Sequence, residues 1–278
     1  TSGAMAAENG LKLCFQKHAP ATRIFAFEKC FMGRTLALSY ITDKAAYRQG
    51  LPQTVSVDYL PFYDENEPEK STQLCLDAIH QYVKRFPGQH AMLCAELIQG
   101  EGGYYPGNKT FFRKVMRTLK KQDIAIFVDE IQTFGRTPSI FAFKEFGISD
   151  LVDVVSVGKL SQVCATLFRK DYKPKPGLIS QTFTSSSAAL EVSRRILESL
   201  NSRAYSGKNG KIAALSTYFR KKLVTLSKKY PNKIEGPFGY GMMLACTPFK
   251  GDPDKVLTFC HRLFESGVIA FIAGDSPK

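Results

Sequence analysis

The chain has 278 residues, of which 44% are hydrophobic, and carries a formal net charge of +13. This length and composition are typical of a globular protein with one large domain or two ordinary ones. No apolar run approaches the roughly 20 residues that a membrane-spanning helix requires, and the first residues lack the charged-then-apolar pattern of a secretion signal. We therefore expect a cytoplasmic protein without membrane segments.

Neither the basic charge nor the seven cysteines indicate a dedicated ligand. Lysine and arginine (38) outnumber aspartate and glutamate (25), but they are spread along predicted helices instead of being gathered with aromatic residues into a nucleic-acid-binding module. The cysteines show no C-x-x-C spacing, which favours free thiols over a disulfide framework or a zinc site. We expect solvated helix faces, no nucleic-acid partner and no metal.

Helix-type and strand-type hydrophobic patterns alternate along the chain. This alternation predicts an α/β fold whose mostly parallel central sheet is flanked by helices. A polar, glycine-containing stretch at residues 205–210 predicts a boundary between a large domain, residues 1–205, and a smaller α+β region, residues 206–278. The predicted helices cover residues 5–16, 72–85, 109–121, 185–200, 211–229 and 253–266, and the predicted strands cover residues 23–27, 54–58, 91–98, 124–129, 153–157, 163–168 and 241–247.

Two charged residues lie where predicted strands of the sheet end. Asp129 closes the apolar run at residues 124–128, and Lys159 follows the strand at residues 153–157. In open, mostly parallel sheets, ligands bind outside the carboxyl ends of the strands, so both side chains should reach one pocket. An amine there can form a Schiff base with a carbonyl, and a carboxylate can hold a pyridinium nitrogen. The pair therefore predicts a site for pyridoxal 5'-phosphate (PLP).

Five short motifs surround this pair. They are Ser-Gly-Ala at residues 2–4, Phe-Met-Gly-Arg-Thr at 31–35, Glu-Leu-Ile-Gln-Gly-Glu-Gly-Gly at 96–103, Asp-Glu-Ile-Gln-Thr at 129–133 and Val-Gly-Lys at 157–159. In this order they resemble the class III aminotransferases (subgroup II, the ω-amino acid group), which are PLP enzymes of fold type I. Residues 158–164 are also similar to the lysine ε-aminotransferase branch, a neighbour of the 4-aminobutyrate aminotransferases.

The resemblance implies a role for each motif. Lys159 would be the Schiff-base lysine and Asp129 the partner of the pyridinium nitrogen, so both would be catalytic. Gln132 would donate to the phenolic oxygen of the cofactor. Taken singly, these residues have ordinary structural explanations, such as a surface lysine or a turn-capping aspartate, and the agreement among motifs carries the assignment. The other implied cofactor contacts are Ile131 and Phe31 on the two faces of the ring, Ser2, Gly3 and Ala4 at the phosphate, and Glu96.

The resemblance also implies features that involve other parts of the family's assembly. Thr182 matches a threonine that reaches the PLP phosphate of the neighbouring subunit, which implies at least a homodimer. Glu101 matches a gate acid that pairs with a C-terminal arginine and releases it to hold the α-carboxylate of glutamate. Family members carry a longer N-terminal stretch and continue past a segment like residues 267–269 to that arginine. We therefore expect the large PLP-binding domain plus part of the small domain.

The implied activity is that of a ping-pong aminotransferase. It would move an amino group from an ω-amine donor, such as lysine or 4-aminobutyrate, to 2-oxoglutarate. Two alternatives stay open: another class III PLP enzyme (a mutase, racemase or decarboxylase), and a PLP-free binding protein with a basic surface. Gln132 argues against the aminomutase branch, in which a methionine is usual at that position.

Overall fold

The computed structural model describes residues 2–182, 184–202 and 204–274, and a six-stranded sheet lies at its centre. The strands of the chain are β1 (Arg23–Phe27), β2 (Ser56–Leu60), β3 (His90–Glu96), β4 (Ile98–Gln99), β5 (Tyr105–Pro106), β6 (Ala125–Asp129), β7 (Val154–Val157), β8 (Ala165–Phe168), β9 (Ile234–Tyr240) and β10 (Met243–Pro248). The central sheet has the order β2-β1-β3-β6-β7-β8, and only the β7–β8 pair is antiparallel. This confirms the predicted mostly parallel α/β sheet.

Short polar side chains start several of the helices. Ser2 accepts a hydrogen bond from the Met5 amide (3.2 Å), and Asn108 accepts one from the Phe111 amide (2.8 Å). Such N-caps bind amide groups that have no partner within the helix. The helices are α1 (Gly3–Lys17), α2 (Leu38–Ile41), α3 (Pro68–Arg85), α4 (Lys109–Lys120), α5 (Ala142–Glu145), α6 (Ser187–Asn201), α7 (Lys211–Lys229) and α8 (Pro253–Glu265).

Apolar clusters cover both faces of the sheet. Alternate residues of one strand point to opposite faces, so Phe127 of β6 joins the cluster under α1 while Ile126 joins the cluster under α3 and α4. Helix α1 approaches the sheet closely at Gly10, where a Cβ atom would lie 2.6 Å from the Phe127 ring. The position of α1 over the sheet therefore depends on the missing side chain at Gly10.

The region after residue 205 differs from its prediction in one respect. Between α7 and α8 the sequence predicted one strand, at residues 241–247, whereas the structure has the antiparallel hairpin β9–β10. Strand β9 contains Gly236, Pro237 and Gly239, which weaken any strand pattern in the sequence. No helix in the described part of the chain is long and apolar enough to cross a membrane. The boundary between residues 205 and 206 stays a prediction.

Several smaller boundaries also differ from their predictions. The predicted strand at residues 91–98 ends at Glu96, because β4 leaves the central sheet and pairs with β5. Helix α1 begins at Gly3, two residues before its predicted start, so Gly3 and Ala4 belong to its first turn. Pro68 opens α3 four residues before the predicted start, a position where proline is favoured because its missing N–H is not needed.

A buried ion cluster joins β1, β2 and β3. Asp58 accepts hydrogen bonds from Nε and Nη2 of Arg23 (both 2.7 Å) and from Nε2 of His90 (2.8 Å). The His90 residue is only 4% exposed, and its ring stacks on Phe25 with centroids 3.9 Å apart. Burial lowers the pKa of His90 below its usual 6.5, although Asp58 opposes this shift. His90 is therefore neutral in the folded protein at neutral pH.

We expect His90→Gln to flatten the pH dependence of stability between about pH 7 and pH 5. The unfolded chain takes up a proton on this histidine below about pH 6.5, whereas the folded chain resists it. In the wild type, this residue's share of stability is thus present at neutral pH and is lost as the pH falls. Urea unfolding at a series of pH values measures the slope. His80→Gln, at an exposed histidine, serves as control; an unchanged slope in His90→Gln contradicts this account.

Candidate active site

A cavity of about 430 Å³ lies at the carboxyl ends of the parallel strands. Strand β3 ends there at Glu96, β6 ends there at Asp129, and Lys159 follows β7. In the strand register, Glu96 pairs with Asp129, which in turn pairs with Ser156 of β7. Of the predicted cofactor contacts, all except Thr182 line this cavity: Ser2, Gly3, Ala4, Phe31, Glu96, Asp129, Ile131, Gln132 and Lys159.

The start of helix α1 forms one end of the cavity. Ser2 accepts from the Met5 amide through its hydroxyl and from the Ala6 amide through its carbonyl (3.1 Å). The amide groups of Gly3 and Ala4 precede the first possible intrahelical bond, and the helix dipole places partial positive charge there. A Cβ atom at Gly3 would lie 3.0 Å from Cδ1 of Ile131. A larger residue at position 3 would therefore press on Ile131, which lines the cavity. This end suits a phosphate group.

The carboxyl group of Asp129 lies almost fully buried at the base of the cavity. Its Oδ1 accepts a hydrogen bond from the Ile131 amide (2.8 Å). Burial raises the pKa of Asp129 to about 6, while the Ile131 bond and the positive charge of Lys159 oppose the rise. A positive ligand group beside this carboxylate would offset its desolvation, which is the chemistry needed to hold a pyridinium nitrogen.

The turn after β7 holds Lys159 in an uncommon backbone conformation. Lys159 has φ of 50° and Gln162 has φ of 59°, both in the left-handed region that non-glycine residues seldom occupy. The Lys159 carbonyl accepts from the Gln162 amide (3.0 Å) and from the Gln162 side chain (3.1 Å). Strain of this kind is concentrated at functional sites, because surrounding contacts must maintain it. The turn thus fixes the backbone of Lys159, whose side chain supplies the amine of the cavity.

Glycines leave room for the side chains that line the middle of the cavity. A Cβ atom at Gly100 would lie 2.3 Å from Nε2 of Gln132, and one at Gly158 would lie 2.9 Å from Cδ1 of Ile131. Phe31 also lines the cavity, and the edge of the Tyr47 ring packs against it with centroids 6.1 Å apart. An apolar group, an aromatic ring and an amide are therefore available to a flat heteroaromatic ligand.

Several lining residues had no predicted role. Arg34 lines the cavity, and its guanidinium carbon lies 4.7 Å from the centroid of the Tyr47 ring. The sequence contained a signal for it, because Arg34 belongs to the motif at residues 31–35. Gln162 and Cys164 also line the cavity and lie in the stretch similar to lysine ε-aminotransferases. The remaining lining residues without a predicted role are Met32, Gly33 and Ile98.

Two predicted functional residues lie outside this cavity. Thr182 is exposed, and Glu101 is partly buried with its carbonyl accepting from the Gly274 amide (2.9 Å). Their implied roles involve a second subunit and an arginine, respectively. Among residues 2–182, 184–202 and 204–274, no group of three histidine, cysteine or acidic side chains is arranged to hold a metal ion.

Together, the mostly parallel sheet, the strand-end carboxylate and amine, and the helix N-terminus give this chain the fold type I architecture, with a cavity whose lining suits PLP. The chain matches the family described as aminotransferase class-III over residues 1–277, and it belongs to that family. Class III aminotransferases use PLP as their cofactor. The residues of the cavity fit that cofactor, because each charged or hydrogen-bonding part of PLP has a complementary group there.

Characterised relatives agree with this placement. Acetylornithine aminotransferase from Listeria monocytogenes is 28% identical over 225 residues, which are 79% of this chain and 54% of the relative. 4-Aminobutyrate aminotransferase from Dictyostelium discoideum is 25% identical over 258 residues, 88% of this chain and 51% of the relative. The chain thus spans about half the length of these two relatives. A solved lysine aminotransferase from M. tuberculosis shares the fold, with a TM-score of 0.84 and 24% identity across 98% of this chain and 67% of its own.

Glu130 follows Asp129 but faces away from the cavity and supports the neighbouring loop. Its fully buried carboxylate accepts from the amides of Ala142 (3.0 Å) and Phe143 (2.8 Å) and from the Thr133 hydroxyl. Burial raises the pKa of Glu130 to about 7, and these donors oppose the rise. The carboxylate therefore anchors the start of α5 to the end of β6.

We expect Glu130→Gln to lower the free energy of unfolding by about 1–3 kcal/mol. The single carbonyl oxygen of glutamine can replace only one of the two carboxyl oxygens, so either the Ala142 or the Phe143 amide loses its acceptor. Urea unfolding measures the change. Glu65→Gln, at an exposed glutamate, should stay within about 0.5 kcal/mol of the wild type. Equal stability of Glu130→Gln and the wild type is the result that contradicts this role.

Proposed function

We propose that the protein is a PLP-dependent aminotransferase that moves an amino group from an ω-amine donor, such as lysine or 4-aminobutyrate, to 2-oxoglutarate. The main support for this proposal is that neighbouring strands place Asp129 and Lys159 in one cavity, beside the start of α1. Relatives named for acetylornithine, 4-aminobutyrate and lysine support this class of donor. Family membership supports the reaction type.

The side chains divide the chemical work among them. PLP supplies an aldehyde carbon that bonds to amines and a ring that accepts electrons. Asp129 would keep the proton on the ring nitrogen, and the Gln132 amide would donate to the phenolic oxygen. The amine of Lys159 would bond to the aldehyde carbon and, when a donor amine replaces it, take the proton from the donor's carbon. The α1 N-terminus would orient these groups by binding the phosphate.

We propose that Arg34 binds the carboxylate of the amino donor or of 2-oxoglutarate. Its side chain is exposed to solvent and lines the same cavity as Lys159. A guanidinium can bind a carboxylate with two parallel hydrogen bonds, which orients the bound molecule as well as attracting it. The face of Tyr47 at 4.7 Å supports the guanidinium through a cation–π contact.

We also propose a homodimer in which Thr182 contacts the PLP phosphate held by the partner subunit. The exposure of Thr182 outside its own cavity supports this arrangement, because the side chain is free to meet another surface. Glu101 is proposed as the gate acid beside that shared site. The division into domains at residues 1–205 and 206–278 and the cytoplasmic location also stay predictions.

The transaminase proposal predicts glutamate formation that depends on 2-oxoglutarate. With PLP, 2-oxoglutarate and either lysine or 4-aminobutyrate, the protein should release glutamate. The Lys159→Ala substitution should reduce the rate of glutamate release to background. Borohydride should attach PLP covalently to the wild type and to Lys12→Ala, whose lysine is exposed, but not to Lys159→Ala.

Each alternative has its own result in this assay. Product formed from the donor in the absence of the keto acid indicates a mutase, racemase or decarboxylase. A protein that binds no PLP contradicts both enzyme assignments and leaves the binding-protein alternative.

Arg34 and Tyr47 should determine the affinity for carboxylate-bearing donors. We expect Arg34→Leu to raise KM for 4-aminobutyrate roughly 10- to 150-fold, the cost of a lost charged hydrogen bond. Tyr47→Leu should raise it only about 2- to 5-fold, and Tyr47→Phe, which keeps the ring, should leave it unchanged. A diamine without a carboxylate is the control substrate. Equal increases of KM for both substrates contradict a carboxylate-binding role.

A further inference from the structure

Glu96 connects two segments of the cavity wall that are distant in sequence. Its carboxyl Oε2 accepts a hydrogen bond from the Phe31 amide (2.7 Å), and Oε1 accepts one from the Gly100 amide (3.1 Å). The residue is 5% exposed, and it lines the cavity at the end of β3. One side chain thus holds a loop 65 residues away and also closes the turn that follows its own strand.

One of the two segments carries a group that faces the cavity, and the other borders such a group. Phe31 contributes its ring, and Gly100 lies against the Gln132 amide so closely that a Cβ atom could not be added. The two segments also touch each other, because a Cβ atom at Gly102 would lie 2.7 Å from the Lys29 carbonyl. A displacement of either segment would therefore change the distance between the aromatic ring and the amide.

The loop that carries Phe31 has little regular structure of its own. Side chains bind several of its amide groups: Met32 and Gly33 donate to the Thr42 hydroxyl (3.0 and 3.2 Å), and Lys29 donates to Asp43 (2.8 Å). Glu96 links the Phe31 amide to the end of β3, and two other bonds tie the same segment down: the Cys30 amide donates to the Phe27 carbonyl of β1 (3.2 Å), and the Gln99 side chain donates to the Glu28 carbonyl (2.6 Å). Of these bonds, the one from Glu96 is made at Phe31 itself, so this carboxyl group acts directly on the position of the aromatic ring relative to the end of β3.

The surroundings of Glu96 disfavour the ionised form of its carboxyl group. It is paired in register with Asp129, and burial raises its pKa to about 8, with the charges of Asp129 and Glu101 adding to the rise. The two backbone donors oppose that shift. An apolar residue at the end of β3 would avoid the cost but would leave two buried N–H groups without an acceptor.

We propose that Glu96 is a positioning residue that holds the Phe31 loop and the Gly100 turn in their ligand-binding arrangement before PLP enters. Its action is indirect: the carboxyl group sets the spacing between the Phe31 ring and the Gln132 amide, and the cavity is preformed as a result. The proposal rests on the proposed function, since it takes PLP as the ligand.

The test compares Glu96→Gln with Glu130→Gln, because both glutamates are buried and both accept from two backbone amides. In the PLP-free protein, we expect Glu96→Gln to speed hydrogen exchange at the Phe31 or Gly100 amide at least roughly tenfold, as one of them loses its acceptor. PLP should bind Glu96→Gln roughly tenfold more weakly than the wild type. Glu130→Gln should change neither quantity by more than about twofold.

The outcomes separate this inference from the proposed function. Wild-type protein that fails to bind PLP contradicts the proposed function, whatever the exchange data give. Wild-type protein that binds PLP, with equal PLP affinity in Glu96→Gln, overturns the positioning role. Equal losses of affinity in Glu96→Gln and Glu130→Gln also overturn it, because they indicate general destabilisation. If Glu96→Gln does not fold, Glu96→Asp takes its place, since the shorter side chain keeps the acid but cannot reach both amides.

Discussion

Three carboxyl groups are buried at the ends of β3 and β6, and each requires donors that only the adjacent loops can supply. Glu96 uses the amides of Phe31 and Gly100, Asp129 uses the amide of Ile131, and Glu130 uses amides at the start of α5. Because a buried N–H or carboxyl group left without a hydrogen-bond partner costs about 1–3 kcal/mol, these bonds restrict where each loop can lie. Glu96 and Asp129 thereby restrict the shape of the cavity, and Glu130 restricts the adjoining start of α5.

The positive charges of the cavity come from the residue that follows β7 and from the N-terminal end of α1. Lys159 follows β7, and the position of the partial positive charge at the start of α1 depends on how closely α1 packs against Phe127. Gly10 permits that packing, so a residue far from the cavity helps to place its phosphate-binding end. A change in the packing of the core should therefore also move groups of the site, since the strands that form the core end at the site.

Sequence patterns predicted the parts of this arrangement that depend on local chemistry. The strand at residues 23–27 and the helix at residues 211–229 coincide with β1 and α7, because their hydrophobic periods are uninterrupted. Strand β9 escaped prediction because its two glycines and its proline break the pattern, and its stability comes from pairing with β10. Asp129 and Lys159 were predictable as a pair because the topology rule for parallel sheets needs only the strand ends.

Contacts between distant segments were not predictable in this way. The bond between Glu96 and the Phe31 amide spans 65 residues, and no local pattern encodes it. The contact of Arg34 is of the same kind: its motif is visible in the sequence, but its guanidinium lies 4.7 Å from the ring centroid of Tyr47, which belongs to the later 3-10 turn Ala45–Tyr47.

The placement of Arg34 changes how substrate recognition should be viewed in this chain. The family resemblance attributes carboxylate recognition to a C-terminal arginine that Glu101 controls, yet an exposed guanidinium already lines the cavity that contains Lys159. An ω-amino acid has its reacting amine and its carboxylate at opposite ends, so it needs an amine-reactive group and a cation separated across one cavity. Lys159 and Arg34 both line the cavity and are the two groups that we propose for this requirement, whereas an α-amino acid brings its amine and its carboxylate to one carbon.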